Sequence, residues 1–185
     1  KHKLIFKRYR FLILFFAILV VYHLNVPNIN SASIMKLIIM RHGEAERFRV
    51  QDKTRNLTSL GKRQARTAGK WLSGSLGVDV PVDIALVSSY VRARQTYEQL
   101  SKQLVVTQNQ VCEDVIPEGD PKIAHDFIKV LFEKKSQSSV ILVVSHMPFV
   151  SYFLEEVHVD KQSMLFDTSS MVIVDYDVDI GAGKI

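Results

Sequence analysis

Apolar residues fall along the chain in short, nearly unbroken runs and in longer, gapped stretches, and the two patterns predict different elements. Met35–Met40, broken only by Lys36, and the unbroken Ile84–Val87 and Val140–Val144 are apolar runs of strand length, as expected of strands buried on both faces. Met171–Tyr176 alternates and predicts a last strand, and Val111–Ile116 reads as a further short one. Helical spacing appears between these runs. Thr58 is a good N-cap for a helix carrying Leu60, Gln64, Ala65, Ala68 and Trp71-Leu72, which Gly74 and Gly77 close. Tyr90–Leu104 predicts a helix with Val91, Tyr97, Leu100 and Leu104 on its apolar side. Pro117, Gly119 and Pro121 form a turn before the amphipathic stretch Ile123–Lys135, and Pro148 suits the first turn of a final helix. Arg47–Asn56 is polar and irregular.

Strands that alternate with helices imply an α/β domain of three layers, with a mostly parallel central sheet covered on both faces. Ligand sites in such sheets lie at the carboxyl ends of the strands. Three predicted strand ends carry reactive residues: Arg41-His42, Ser88 to Arg92, and Ser145-His146. The predicted domain covers residues 35–185, and residues 1–34 form a leader of different character. In the leader a basic stretch through Arg10 precedes the apolar run Phe11–Tyr22. That run is 12 residues long, against the roughly 20 that a spanning helix needs. A basic start, a short apolar region and Ser31-Ala32-Ser33 have the form of a signal peptide, while Met35 before the first strand is equally suited to be a start residue. The leader is thus signal-like, an anchor or non-native, and only if it is real does the sequence call for membrane contact.

Charge changes little once it is located. All of the net charge of +5 sits in the leader, where Lys1, Lys3, Lys7, Arg8 and Arg10 face no acid. The rest balances 19 basic against 19 acidic residues, which argues against a nucleic-acid groove. A single cysteine, Cys112, excludes an intramolecular disulfide and a thiolate zinc site, and a reducing, cytoplasmic setting is the simplest reading.

The strand-end residues suit phosphoryl transfer. A phosphoryl group in transfer carries negative charge on three oxygens, so catalysis is positioning and charge stabilisation. Arginine donates to two such oxygens with one planar fork. A histidine nucleophile must be neutral at the attacking nitrogen and held in one tautomer at the other. A glycine beside it lets backbone and phosphate approach closely. Arg41, His42 and Gly43 supply all three, though the tripeptide alone is a weak signal.

Four ordered motifs strengthen it. Ile39-Met40-Arg41-His42-Gly43-Glu44, Leu57-Thr58-Ser59-Leu60-Gly61 with Gln64-Ala65, Ser88 to Thr96, and Val143-Val144-Ser145-His146-Met147-Pro148 resemble the motifs of the histidine phosphatase superfamily, the group of phosphoglycerate mutases and acid phosphatases. The resemblance implies a phosphoglycerate mutase-like fold with His42 as the nucleophile, Arg41 and Arg92 on the phosphoryl oxygens, and His146 as a second histidine contacting the same group. Arg55 resembles an auxiliary phosphate contact of the small members. No metal and no other cofactor is implied. Outside this set, His125 is expected to be structural, His158 solvated, Arg94 turned away from Arg92, Glu44 a capping or exposed residue, and Trp71 part of the core or of helix–sheet packing.

An alkoxide leaving group needs a general acid. Glu113, Asp114 and Glu118 are the candidates, none of them in a recognisable acid motif. The imidazole of a phosphohistidine leaves with little help. The compact size, the Arg-Asn-Leu-Thr stretch and the Pro-Glu turn resemble the SixA-type phosphohistidine phosphatases, which implies a phosphorylated histidine-containing phosphotransfer protein as partner and a signalling role. The alternatives are a small-molecule phosphomonoesterase of the same superfamily and a non-catalytic phosphate-binding module.

Overall fold

The computed structural model describes residues 34–47, 50–77, 79–134 and 139–185; the leader up to residue 33, its apolar run included, lies outside the described residues, while Ile34 already belongs to the first strand. Six strands form one sheet: β1 (Ile34–Arg41), β2 (Val82–Ser88), β3 (Val106–Cys112), β4 (Val140–Ser145), β5 (Met171–Asp177) and β6 (Ala182–Lys184), in the order β3-β2-β4-β1-β5-β6. The pairs β1–β4, β2–β4 and β2–β3 are parallel, while β5 runs antiparallel to β1 and β6. The mostly parallel sheet expected from the sequence is therefore present, with an antiparallel edge.

Helices α1 (Ser59–Leu76) and α2 (Val91–Leu100) cover one face, and α3 (Pro121–Glu133) and α4 (Phe149–Val157) the other. Strand side chains alternate between the two faces. Ile38 and Met40 pack with Leu72 and Leu100, whereas Leu37 and Ile39 pack with Ile128, Phe132 and Phe153. This two-sided burial is why β1, β2 and β4 read as apolar runs. Among the described residues no helix is long and apolar enough to cross a membrane.

The caps follow the sequence. Thr58 accepts a bond from the Gly61 amide at the start of α1, and Gly77, at φ 102°, ends it. Gly74 lies inside α1 and does not close it. Asp120 caps α3, with Pro121 as its first residue. Several expectations are corrected. The third strand begins at Val106, since its edge residues Thr107–Gln110 are exposed and polar. Helix α2 stops at Leu100, and its buried side is Arg92, Ala93, Thr96, Gln99 and Leu100 rather than an apolar stripe. Trp71 is 54% exposed, so it is not core. His158 is buried at the end of α4, where its Nδ1 accepts the Asp160 amide.

Candidate active site

Three adjacent strands end together. Arg41 on β1 pairs with Ser145 on β4, and Val87 on β2 pairs with Val144, so the row beyond holds Ser88, Ser145 and Arg41. The first residues past β1 and β4 are His42 and His146. Their rings lie 4.9 Å apart at 56°, and both residues are buried. Arg92, one residue into α2, completes the group: its Nε donates to His42 Nε2 at 3.1 Å. The structure thus brings Arg41, His42, Arg92 and His146 together from three distant parts of the chain.

Hydrogen bonds fix the tautomer of His42. A guanidinium only donates, so Nε2 must accept from Arg92, and the proton sits on Nδ1, which donates to the Gly43 carbonyl at 2.6 Å. Burial first, with the charges of Arg92, Arg41 and Arg55 behind it, outweighs the Gly43 bond and pushes the imidazole down to about 4. The ring is neutral at physiological pH with its lone pair at Nε2. His146 is also pushed well below its ordinary value, by burial and then by His42, Arg92 and Arg41. Its Nε2 lies 2.8 Å from the Ser88 hydroxyl, which accepts the Tyr90 amide and can donate to the ring. When the hydroxyl donates, the ring proton lies on Nδ1, which is buried without a hydrogen-bond partner.

Arg41 donates from Nη1 to the Phe166 carbonyl at 2.6 Å, while its Nε is buried and unpartnered. Burial lowers its pKa, opposed by Asp167. Arg41 Nε and His146 Nδ1 are thus buried atoms without partners in this group, and an oxyanion accepting from them would satisfy both. Arg92 spreads its other nitrogens over Asp52, on the short 3-10 turn Asp52–Thr54: Nη1 donates to the carbonyl at 2.8 Å and Nη2 to Oδ2 at 2.9 Å. The Tyr90 ring lies 4.7 Å from that guanidinium and edge-on to His146. Arg55 binds the other Asp52 oxygen at 2.7 Å and the Glu46 carbonyl at 2.6 Å, so it joins the group through Asp52.

The remaining motif letters hold the frame. Thr96 accepts the Gly43 amide and donates to the Arg92 carbonyl, tying the loop that carries His42 to α2. Gln64 accepts the Glu44 amide, and Gln95 accepts the Leu57 amide. Glu44 accepts the Thr58 hydroxyl, which makes it a capping residue. Gly43 also meets a packing demand that the sequence did not show. A Cβ there would meet Gly61 backbone, with the carbonyl oxygen 2.6 Å away, so the glycine admits helix α1. Arg94 is exposed, turned away from Arg92, and His125 is buried between Glu156 and Tyr176 on the opposite face.

The acid candidates sit at the rim. Glu113 binds Ser89 and Lys53, bonds that hold its carboxyl below the ordinary range. Glu118 accepts the Tyr90 hydroxyl at 3.3 Å, and Asp114 faces Cys112. Asp52 escaped the sequence reading. It stands in a polar stretch without periodicity, and only its spacing of three from Arg55 hinted at an ion pair. Among the described residues no cluster of three or more His, Cys, Asp or Glu could hold a metal ion.

Residues 37–115 match the model of the histidine phosphatase superfamily, branch 1. A phosphohistidine phosphatase SixA homolog of Haemophilus influenzae is 34% identical over 137 residues, 71% of this chain and 82% of that protein. Phosphohistidine phosphatase SixA of Escherichia coli is 31% identical over 144 residues, 77% of this chain and 86% of that protein. The solved structure of the protein histidine phosphatase SixA complexed with tungstate superposes with a TM-score of 0.73 at 31% identity, covering 81% of this chain and 93% of that one. On sequence, fold and motif order alike, the chain belongs to the histidine phosphatase superfamily and is of its SixA type.

Proposed function

We propose that this enzyme hydrolyses phosphohistidine on a phosphotransfer protein by way of a phosphoryl group carried on His42. The observation that carries the proposal is the lone pair at His42 Nε2, held by Arg92 Nε alone, in a group that also contains the unpartnered buried atoms Arg41 Nε and His146 Nδ1. In the first step Nε2 attacks phosphorus, the P–N bond to the substrate imidazole breaks, and that imidazole takes up a proton from solvent. Arg92 Nε, relieved of the lone pair, donates to a phosphoryl oxygen instead. Arg41 and His146 donate to the others, and neutral His146 does so without needing to be charged. In the second step water attacks phosphorus, the bond to Nε2 breaks, and phosphate leaves with His42 restored. Arg55 adds positive charge one carboxylate away.

The state of Glu113 supports a phosphoramidate substrate over an ester. The acid that would protonate an alkoxide must hold its proton near neutrality. Glu113 is held in the opposite sense, paired to Lys53. The two SixA relatives, named phosphohistidine phosphatases, support the same substrate class. Turnover on a panel of phosphorylated phosphotransfer domains, compared with sugar phosphates, is the test. Faster hydrolysis of the esters overturns the proposal, and His42→Ala is expected to abolish both turnover and an acid-labile phosphoenzyme.

A further inference from the structure

The site contains an anion of its own. Asp52 gives Arg92 two acceptors, its carbonyl and Oδ2, and gives Arg55 its other carboxylate oxygen. With Nε on His42, every nitrogen of the Arg92 guanidinium has a partner before any ligand arrives. Burial pushes the Asp52 carboxyl up, but bonds and charge from Arg55 and Arg92 outweigh this and keep it below its ordinary value, so it stays anionic. Its side chain is one-third exposed on a three-residue turn, a placement from which it can withdraw without unpacking a core.

We propose that Asp52 competes with the phosphoryl group for Arg92, and that its return to Arg92 drives release of product phosphate. The inference rests on the phosphoryl site proposed above and deepens it. A carboxylate and a phosphoryl group ask for the same fork of guanidinium hydrogens. When phosphate occupies the site, Asp52 gives up some of its hold on Arg92 and leans on Arg55. When phosphate loosens, the carboxylate is covalently tethered beside the arginine and re-forms its bonds at high effective concentration. Arg55 has a definite part here: by sharing the carboxylate it weakens the competitor and keeps the site from closing against substrate. An ordinary structural ion pair makes the opposite prediction, since losing it would loosen Arg92 and weaken anion binding.

The test is the affinity for inorganic phosphate, read by calorimetry on the full chain, for wild type, Asp52→Asn and Asp52→Glu. The near-isosteric amide keeps the turn but loses the charge, and loss of one charge-assisted bond to Arg92 predicts phosphate binding tighter by about tenfold. Turnover at saturating substrate falls in parallel, because release slows, while single-turnover transfer to His42 does not fall. Asp52→Glu retains the charge and binds phosphate within about threefold of wild type. If wild type binds phosphate and Asp52→Asn binds it equally or more weakly, the competition is overturned and Asp52 only props Arg92. If neither binds phosphate, the phosphoryl site itself is overturned, and the inference with it.

Discussion

Replacing Gly43 by alanine separates two explanations of the glycine beside the nucleophile. The added Cβ would lie 2.6 Å from the Gly61 carbonyl oxygen and 3.1 Å from its Cα, where ordinary contact begins near 3.4 Å. The nucleophile loop and the first turn of α1 must therefore part by about 0.8 Å. Neither side yields easily. Gly61 is held by the Thr58 cap, and Gly43 is held by Thr96. Overpacking of this kind costs about 1–3 kcal/mol. At about 2 kcal/mol the melting temperature of a chain this long falls by about 4–8 °C. Misplacing His42 by a large fraction of an ångström slows the chemical step by about 10- to 100-fold. Thermal unfolding and single-turnover dephosphorylation of Gly43→Ala measure the two effects, and Gly61→Ala, whose Cβ would run into the Glu44 backbone carbonyl, should give larger losses in both. A Gly43→Ala protein that melts with wild type and loses only phosphate affinity would refute the packing argument and return the glycine to the ligand.

Other predictions follow from single side chains. Because the His42 pKa is depressed to about 4, activity should hold from neutrality to about pH 5 and fall below it as Nε2 takes a proton. By the same linkage the unfolded chain gains protons first, so stability should drop by about 3 kcal/mol between pH 6.5 and pH 4, a loss that urea titration should find missing in His42→Asn. Thr96→Val keeps the shape of a fully buried residue but strands the Gly43 amide, and should cost about 1–3 kcal/mol by chemical unfolding together with activity. Ser88→Ala should leave the His146 ring free to exchange tautomers, visible in its nitrogen chemical shifts, and slow turnover by about tenfold. Tyr176→Phe removes a buried hydroxyl bonded to His125 on the far face and should cost about 1 kcal/mol of stability with turnover unchanged.

The residues that misled the sequence reading share a physical origin. Strands β1, β2 and β4 were readable because both of their faces are covered, and the caps Thr58 and Gly77 because backbone geometry demands such residues there. Helix α2 misled because the site needs Arg92 and Thr96 buried, which inverts the usual polarity of a helix face. Strand β3 was misjudged because its exposed edge carries no apolar period, and β6 is too short and glycine-bearing to signal itself. The four site residues were legible because each lies at a strand end or inside a local motif. Asp52 was not, since a carboxylate among polar neighbours gains meaning only when the fold sets two arginines against it. Ser88 stood in a motif, yet its hold on His146 appeared only once β2 and β4 lay side by side.

The register of the sheet has a consequence for how this chain can vary in length. Arg41, Ser145 and Ser88 form one row, and the nucleophile and its partner histidine are the next residues out. A single residue inserted within β4 would turn every following side chain to the opposite face and carry His146 away from His42. The turns at the other edge, such as those that follow α1 and α2, impose no such bookkeeping, because an added residue there is absorbed before the next strand begins. Added residues are thus tolerated in those turns and not within the strands that carry the site.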